Sequence, residues 1–494
     1  MLKSILQFLE LEGNKFESTS VFFFEDPKSF TDYIVKAKNE AFNMLTFVFA
    51  KEFEEMDDMI RRSGKRKKNW VIVRRDETSL ISSVGQIRYH KTLFKNKANG
   101  ECCYLLDKMM ELEPHERITA DAIGQMLEEA TESSYRKGGE KTSLTDIVSK
   151  ETVKEKIHEL EFPKIKSNMR KKKVDNLYVS ADEDHVSLQF FEKKGDITVN
   201  KNGLKYNSCL SKLVYVYEGR VPERPVSGSE KPRWKLKNAK YFSGVYEGSK
   251  NRELWEEVRR YIEDNYELSE GGHIFITSDG GPWIECAEEV LGEQAVHVLD
   301  KFHMNEYVNK AVSHMGDSRG DAKDCIMKAI NLCSKKELER CFDILEDFAV
   351  EEDIYKRVIT AKRYLISNWK KIKKSGQYKE YLHGCSAEGH VSHILSDRLS
   401  SRPLGWSKTG VDKVSKLRAY RANGGDMYEL AKYQRHPEKD EYVEELKCSS
   451  KDILVSEHGY RRMSDKYYEI FNKTIEGSSA RKQVIFAFGF NPFV

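Results

Sequence analysis

The sequence predicts a mixed α/β protein: a central sheet with helices, a helical segment inserted late in it, and a mainly helical N-terminal region. Two observations carry this. Between residues 176 and 300, short runs rich in β-branched and aromatic residues alternate with amphipathic stretches. Between residues 304 and 385 the composition is almost wholly that of helices, rich in Lys, Glu, Ala, Leu and Ile. The 494 residues correspond to about three or four domains. With 33% charged residues and 39% AVILMFWYC, the chain is expected to be globular and soluble rather than disordered.

Residues 28–62 read as one long helix, with apolar positions at Phe30, Ile34, Ala37, Ala41, Met44 and Val48 and again at Met56 and Ile60. Such a stripe is expected to pack against another helix. A basic run, Arg61 to Lys68, is either solvated surface or a phosphate contact. Trp70–Arg75 and Ser82–His90 alternate like the arms of a hairpin. Thr119 is expected to cap a helix reaching about Tyr135, with Gly138-Gly139 breaking it. Ser143 then opens a short helix and Ser149 caps a third, running to Leu160. This spacing is compatible with a helix-turn-helix bearing Lys150, Lys154 and Lys156, and equally with plain three-helix packing. A basic connector follows, including Lys171 and Lys172.

Then the grammar changes. Strands are expected at 177–191, 213–217 and 241–246, a helix at 251–266, a strand at 273–279, a helix at 283–291 and a strand at 295–300. The order β-β-β-α-β-α-β is that of an RNase H-like core.

Several classes are excluded. The best apolar run, Met44 to Ala50, is far short of the ~20 residues a membrane-spanning helix needs. The N-terminus leads into acidic residues rather than an apolar signal core, so a cytoplasmic location is expected. The 83 Lys and Arg against 80 Asp and Glu make no polycation, so any nucleic-acid contact must be local. Nine cysteines without a CxxC pair read as reduced thiols rather than as a disulfide framework or a zinc site. There is no phosphate-binding GxxxxGK[ST] loop.

Three carboxylates stand out by position. Asp182 lies inside the first core strand, where a lone charge is costly unless it binds something. Asp279 ends the fourth strand, before Gly280-Gly-Pro, and ligands gather at such carboxyl ends. In the expected order the first and fourth strands are neighbours, so the two aspartates can lie side by side. Paired carboxylates need a cation, and hard oxygen ligands select Mg²⁺ or Mn²⁺. Two such ions would clamp the attacking and leaving oxygens of a phosphodiester. Glu388 is the candidate third ligand, because it opens a helix that can return to the sheet.

The pieces Ala181-Asp-Glu-Asp-His-Val-Ser-Leu-Gln189, Thr277-Ser-Asp-Gly-Gly-Pro-Trp-Ile284, Leu299-Asp-Lys-Phe-His-Met304 and Gly384-Cys-Ser-Ala-Glu-Gly-His-Val391 resemble a family of bacterial insertion-sequence transposases. That family, long catalogued as uncharacterised, is similar to Mutator-like elements. The resemblance is clear from about residue 80 to 425. It implies a DDE triad of Asp182, Asp279 and Glu388 on an RNase H-like fold, with residues 304–385 as a helical insertion between the second and third acids. It also implies a C/D-x-x-H motif, here Asp300-Lys-Phe-His303, whose His303 orients a scissile phosphate or water or else caps the following helix. Asp184 shares a strand face with Asp182 and remains an alternative first acid. Asp397 and Glu380 compete with Glu388.

Arg398 and Arg402 are candidates for phosphate contacts and Trp406 for stacking on an unpaired base. The domain division expected is 1–75 N-terminal and helical, 76–163 hairpin plus DNA-binding module, 174–303 first part of the core, 304–385 insertion, 386–425 last part of the core, and 426–494 C-terminal. The resemblance implies a transposase that binds the terminal inverted repeats of its element as double-stranded DNA. It cleaves and joins strands with Mg²⁺ or Mn²⁺, as a homodimer or larger, in the cytoplasm at the nucleoid. The alternatives are an RNase H-like nuclease without strand transfer and a non-catalytic, transposase-derived DNA-binding protein.

Overall fold

The structure is a computed structural model describing residues 19–21, 23–165, 170–190, 193–196, 198–199, 207–223, 233–384, 386–402 and 405–435. Part of the basic connector, Phe191, Cys385 and nearly all of the expected C-terminal region lie outside them. The chain forms two compact units, Met1–Leu80 with Ile87–Arg117 and Arg435–Val494, and Ile81–Gln86 with Ile118–Gln434.

In the first unit, α1 (Phe30–Arg62) follows a turn at Pro27–Ser29, and Ser63 caps α2 (Gly64–Asn69). Strands β1 (Trp70–Ser82), β2 (Gly85–Asn96) and β3 (Cys102–Tyr104) form a sheet in that order, and α3 is Leu105–Met109. The long helix is where the sequence places it, and it packs against α3, the expected helix partner, and on the sheet as well. Phe53 meets Tyr89 edge-on at 5.1 Å, and the buried carboxylate of Asp57 accepts hydrogen bonds from the amide and hydroxyl of Thr92 at 3.0 and 2.6 Å. Of the apolar stripe Ile60 is buried, while Phe30, Ile34 and Met56 are exposed. In the basic run, Arg66 is buried, donating to the Trp70 carbonyl with its guanidinium over the Phe94 ring. The hairpin turns at Ser83–Val84, inside the expected second arm, where the Ser82 hydroxyl donates to the Gly85 carbonyl at 2.7 Å.

The second unit begins with three helices, α4 (Ala120–Glu132), α5 (Tyr135–Lys141) and α6 (Lys150–Glu159). Ser149 caps α6 as expected, accepting from the Thr152 amide at 3.1 Å. Gly138-Gly139 does not break a helix, however; it lies within α5. A Cβ on Gly138 would sit 2.8 Å from Ala130 Cβ, and one on Gly139 would sit 2.1 Å from the Val148 carbonyl oxygen. The glycines serve close packing. Residues 143–148 form no helix, because the Val148 amide donates to Gly139 and Asp146 accepts from the Gln86 amide.

The main sheet is mixed and five-stranded. Its strands are β4 (Lys172–Ser187), β5 (Ser208–Tyr217), β8 (Lys240–Gly244), β9 (Tyr266–Ser278) and β10 (Ala295–Leu299), in the order β10-β9-β4-β5-β8. β4, β9 and β10 run parallel; β5 is antiparallel to β4, and β8 to β5. A separate two-stranded ribbon, β6 (Arg220–Glu223) with β7 (Arg233–Leu236), was not foreseen. Alternation along β4 divides the core in two. Leu177, Val179 and Ala181 pack with α7 (Asn251–Asn265) and with Ala287 and Val290 of α8 (Ala287–Leu291). Tyr178, Val186 and Leu188 face the other side.

After β10 come α9 (Lys301–Ala311), α10 (Arg319–Asn331), α11 (Lys335–Asp347), α12 (Glu352–Ser367) and α13 (Trp369–Gln377), which share a core of their own. The chain returns through Tyr378–His383 across the second face, where Tyr178 donates to the Tyr381 carbonyl at 3.0 Å. It then forms α14 (Ala387–Val391), a π-helical turn at Ser392–Ser396 and α15 (Asp397–Leu399). α16 (Lys408–Ala422) and α17 (Met427–Tyr433) end the unit. Among the described residues, no helix is long and apolar enough to cross a membrane.

Candidate active site at the ends of the parallel strands

Strand register brings the first two acids together. β4 pairs with β9 as Val179↔Ile276 and Ser180↔Thr277; the pairing stops there, and two residues further on each chain Asp182 and Asp279 are near enough for the charge of one to act on the other. Both sit on the face of Tyr178 and Phe275. On the far side of β9, Leu299 pairs with Ser278, so Asp300 follows beside Asp279. Asp279 and Asp300 thus directly follow β9 and β10, while Asp182 lies within β4, which runs on to Ser187.

The loop after β9 is fixed from several directions. The Gly281 amide donates to Asp279 Oδ1 at 2.9 Å. The Tyr364 hydroxyl, from α12, donates to the Asp279 carbonyl at 2.6 Å, and its ring stacks on Tyr307 at 3.8 Å. Gly280 has a φ of +92°, and a Cβ there would lie 2.6 Å from Oδ1 of Asn368. The Ser278 hydroxyl meets Nε2 of His297 at 2.8 Å. Beneath the sheet, the Trp283 indole N–H donates to Glu183, which points opposite to Asp182. Glu183, Tyr364 and Asn368 escaped sequence reasoning. Tyr364 lies in the last turn of α12 and Asn368 caps it, but nothing in that spacing names the loop they brace.

Asp182 is held far from its ordinary ionisation. Burial raises its carboxyl, the Glu183 amide at 2.8 Å lowers it, and the charges of Asp279 and Glu183 raise it again. His303 opposes them, and the outcome is a carboxyl pushed up to about 7. A carboxylate so placed favours an added cation. Two hard oxygen donors fit Mg²⁺ or Mn²⁺, although among the described residues no three acidic, His or Cys groups stand close enough to hold a metal ion.

A family model described as an uncharacterised protein family, UPF0236, matches residues 28–436. The chain belongs to UPF0236. It is similar to UPF0236 proteins of Caldanaerobacter subterraneus subsp. tengcongensis. One of these, whose name joins eleven loci from TTE0033 to TTE2212, is 37% identical over 378 residues, 76% of this chain and 74% of that relative. Another, TTE2489, is 36% identical over 378 residues, 76% of this chain and 75% of its own length. A UPF0236 protein in the vanSb 3′ region of Streptococcus gallolyticus is 24% identical over 443 residues, 85% of this chain and 90% of the relative.

In this UPF0236 chain the other candidates separate clearly. Glu388 is exposed on α14, whose Ala387 and Val391 pack on the Asp182 face of the sheet. Asp184 is buried, and its Oδ1 accepts from the Ser400 hydroxyl at 2.8 Å, so it ties β4 to the segment after α15. Asp300 is the N-cap of α9, accepting from the Phe302 amide at 3.1 Å; the capping role considered for His303 is its own. His303 stays half-buried in the first turn, where its charge is felt at Asp182.

Two DNA candidates are corrected. Arg398 is buried, with its guanidinium 4.6 Å from the centre of the Trp406 ring, and burial lowers its pKa to about 10. Trp406 is buried too, donating to the Leu399 carbonyl at 3.0 Å and meeting Tyr135 edge-on. Both faces of the expected stacking platform are taken by the protein. Lys172 pairs with Glu218 at 2.6 Å, whereas Lys154, Lys171 and Arg402 are exposed and Lys150 has only a 3.6 Å contact with Glu151.

Proposed function

We propose that this UPF0236 chain is a DNA transposase of the DDE class, with Asp182 and Asp279 as its first two acids and Glu388 as the third. One observation carries the reading: β4 and β9 are parallel neighbours that bring Asp182, within β4, beside Asp279, just after β9, so that the charge of Asp279 helps raise Asp182 to about 7. The strand order β10-β9-β4-β5-β8 supports an RNase H-like core. A relative whose name joins eleven loci reads as one protein carried at many places, as a self-copying element leaves behind.

In this reading Mg²⁺ or Mn²⁺, as two ions, would be held by the three acids and would activate the attacking oxygen and stabilise the leaving one. The chain's own groups do the rest. Tyr364 and the Gly281 amide fix Asp279, Glu183 anchors the loop through Trp283, and His303 orients a phosphate oxygen beside Asp182. The partners are the element's terminal repeats and a target duplex, bound by a homodimer or larger at the nucleoid, with Lys150, Lys154, Lys171 and Arg402 neutralising phosphates. Placing Asp182 ahead of Asp184 rests on Asp184 being committed to Ser400. In this reading Glu388 is brought to the pair from α14, next to the π-helical turn at Ser392–Ser396, a distortion frequent at functional sites.

The test is strand cleavage and joining on a labelled duplex carrying the element's ends, in Mg²⁺, Mn²⁺ or EDTA, with wild type and Asp279→Asn. Metal-dependent joined product, lost in the variant by ~10³-fold or more, is expected. Cleavage of any duplex without joining would replace the reading with a nuclease; specific end binding with no cleavage would leave a DNA-binding relic.

A further inference from the structure

Beside α14 lies a cleft of about 570 Å³ that none of the proposed chemistry uses. It opens between the β6–β7 ribbon and α14, lined by Arg220, Trp234, Lys235, Tyr241, Ser386 and His390, with Glu223 and Asn238 also at its wall. Its size is that of a small-ligand site. Two features set it apart from an ordinary surface groove. Nε and Nη2 of Arg220 are buried and make no hydrogen bond, while Nη1 lies against Gly384, where a Cβ would come within 3.7 Å. Buried guanidinium donors left idle on a half-buried arginine are costly unless an anion completes them. Trp234 is 56% exposed, although indole is among the more expensive side chains to leave in water.

The rest of the wall is prepared. The Tyr241 hydroxyl and Nδ1 of His390 meet at 3.1 Å, and the His390 ring lies 4.6 Å from Tyr215, so this side is rigid. Lys235, which is exposed, adds a second cation next to Trp234. A planar fork for phosphate oxygens, a flexible cation and an exposed aromatic face are the parts of a site for one unstacked nucleotide.

We propose that this cleft binds a single nucleotide of an unpaired DNA strand, its phosphate on Arg220 and Lys235 and its base on Trp234. The proposal rests on the transposase reading only for the source of the nucleotide, since strand cleavage leaves unpaired ends. Ser386 and His390 flank Glu388 in the chain, so a strand held here lies next to the third acid's helix.

The full-length protein is tested in EDTA, where cleavage is blocked. The probe is a single-stranded oligonucleotide carrying one iododeoxyuridine, read by anisotropy and by photo-cross-linking with mass mapping. The expected result is a cross-link on the peptide containing Trp234. Arg220→Gln and Trp234→Ala should each weaken binding by about tenfold, and Arg220→Lys should recover part of the loss. Trp234 is exposed, so its replacement does not threaten folding, and thermal melts check Arg220→Gln. A cross-link elsewhere, with both variants binding as wild type, overturns the site. Displacement by equimolar deoxyadenosine monophosphate would assign the cleft to a free nucleotide and overturn the strand. The outcomes separate from those of the cleavage test: intact metal-dependent joining with no cross-link sinks the cleft alone, and a mapped cross-link with no cleavage sinks the catalytic reading alone.

Discussion

Asp279 and Glu388 are both presented on the same face of one sheet, yet they are held in opposite ways. Asp279 ends a thirteen-residue strand, and two hydrogen bonds, a positive-φ glycine and a helix from the insertion fix the loop that carries it. Glu388 stands exposed on a five-residue helix that runs straight into a π-helical turn. One acid is immobilised; the other is an exposed side chain on a short helix that Ala387, His390 and Val391 hold in place. A site built this way has a preformed half and a half that is completed when the substrate arrives.

The largest expected effect that can break this comparison comes from Glu388→Gln set against Asp184→Ala. The first should abolish joining, by ~10³-fold or more, and leave the melting temperature unchanged because the side chain is exposed. The second should cost about 1–3 kcal/mol of stability through the lost Ser400 bond, read by chemical denaturation. Activity should then survive at low temperature. The reverse pattern would exchange their roles.

Next is Gly280→Ala, aimed at the rigid half. A side chain at φ +92°, pressed against Asn368, should cost about 1–3 kcal/mol. It should lower cleavage more than it lowers DNA binding, measured side by side.

Asp182→Asn sharpens the electrostatic side. A carboxyl raised from 3.8 to about 7 in the folded protein binds more protons there than in the unfolded chain. Stability therefore falls as pH rises through that window. The metal-free variant should lose this slope and melt above wild type at pH 8, by a few degrees; Mg²⁺ should raise the melting temperature of wild type only.

The smallest effect lies in the other unit. At Glu54 burial raises the carboxyl, but hydrogen bonds from Lys51 and His90 outweigh it and bring the group down to about 2. Its contribution is present above the usual carboxylate range and is lost as pH falls toward 2. Solvent screening holds it to ~1 kcal/mol or less. Glu54→Gln should narrow the acid side of the stability profile without touching cleavage.

Much of this was legible because strands obey a short rule. Apolar runs placed the five strands of the main sheet, and their order made Asp182 and Asp279 neighbours. The return of Glu388 was legible as a helix but not as a distance, because loops and a helical insertion intervene. Arg398 and Trp406 misled for a different reason: a basic, aromatic stretch has the same composition whether it meets DNA or its own protein. Gly138-Gly139 misled likewise, since glycine permits both a break and a close approach. The β6–β7 ribbon is too short for periodicity to find, and the cleft depends on it.

The shared register of β4 and β9 imposes a parity condition on the gene. A one-residue deletion within β9, between Gly272 and Ser278, would turn Asp279 to the opposite side of the sheet. A two-residue deletion would restore the side but retract the group by roughly 7 Å. Insertions between the paired strands escape both penalties. The chain is thus intolerant of frame-preserving indels in its strands and permissive in the connections, which is where a reporter peptide should be spliced.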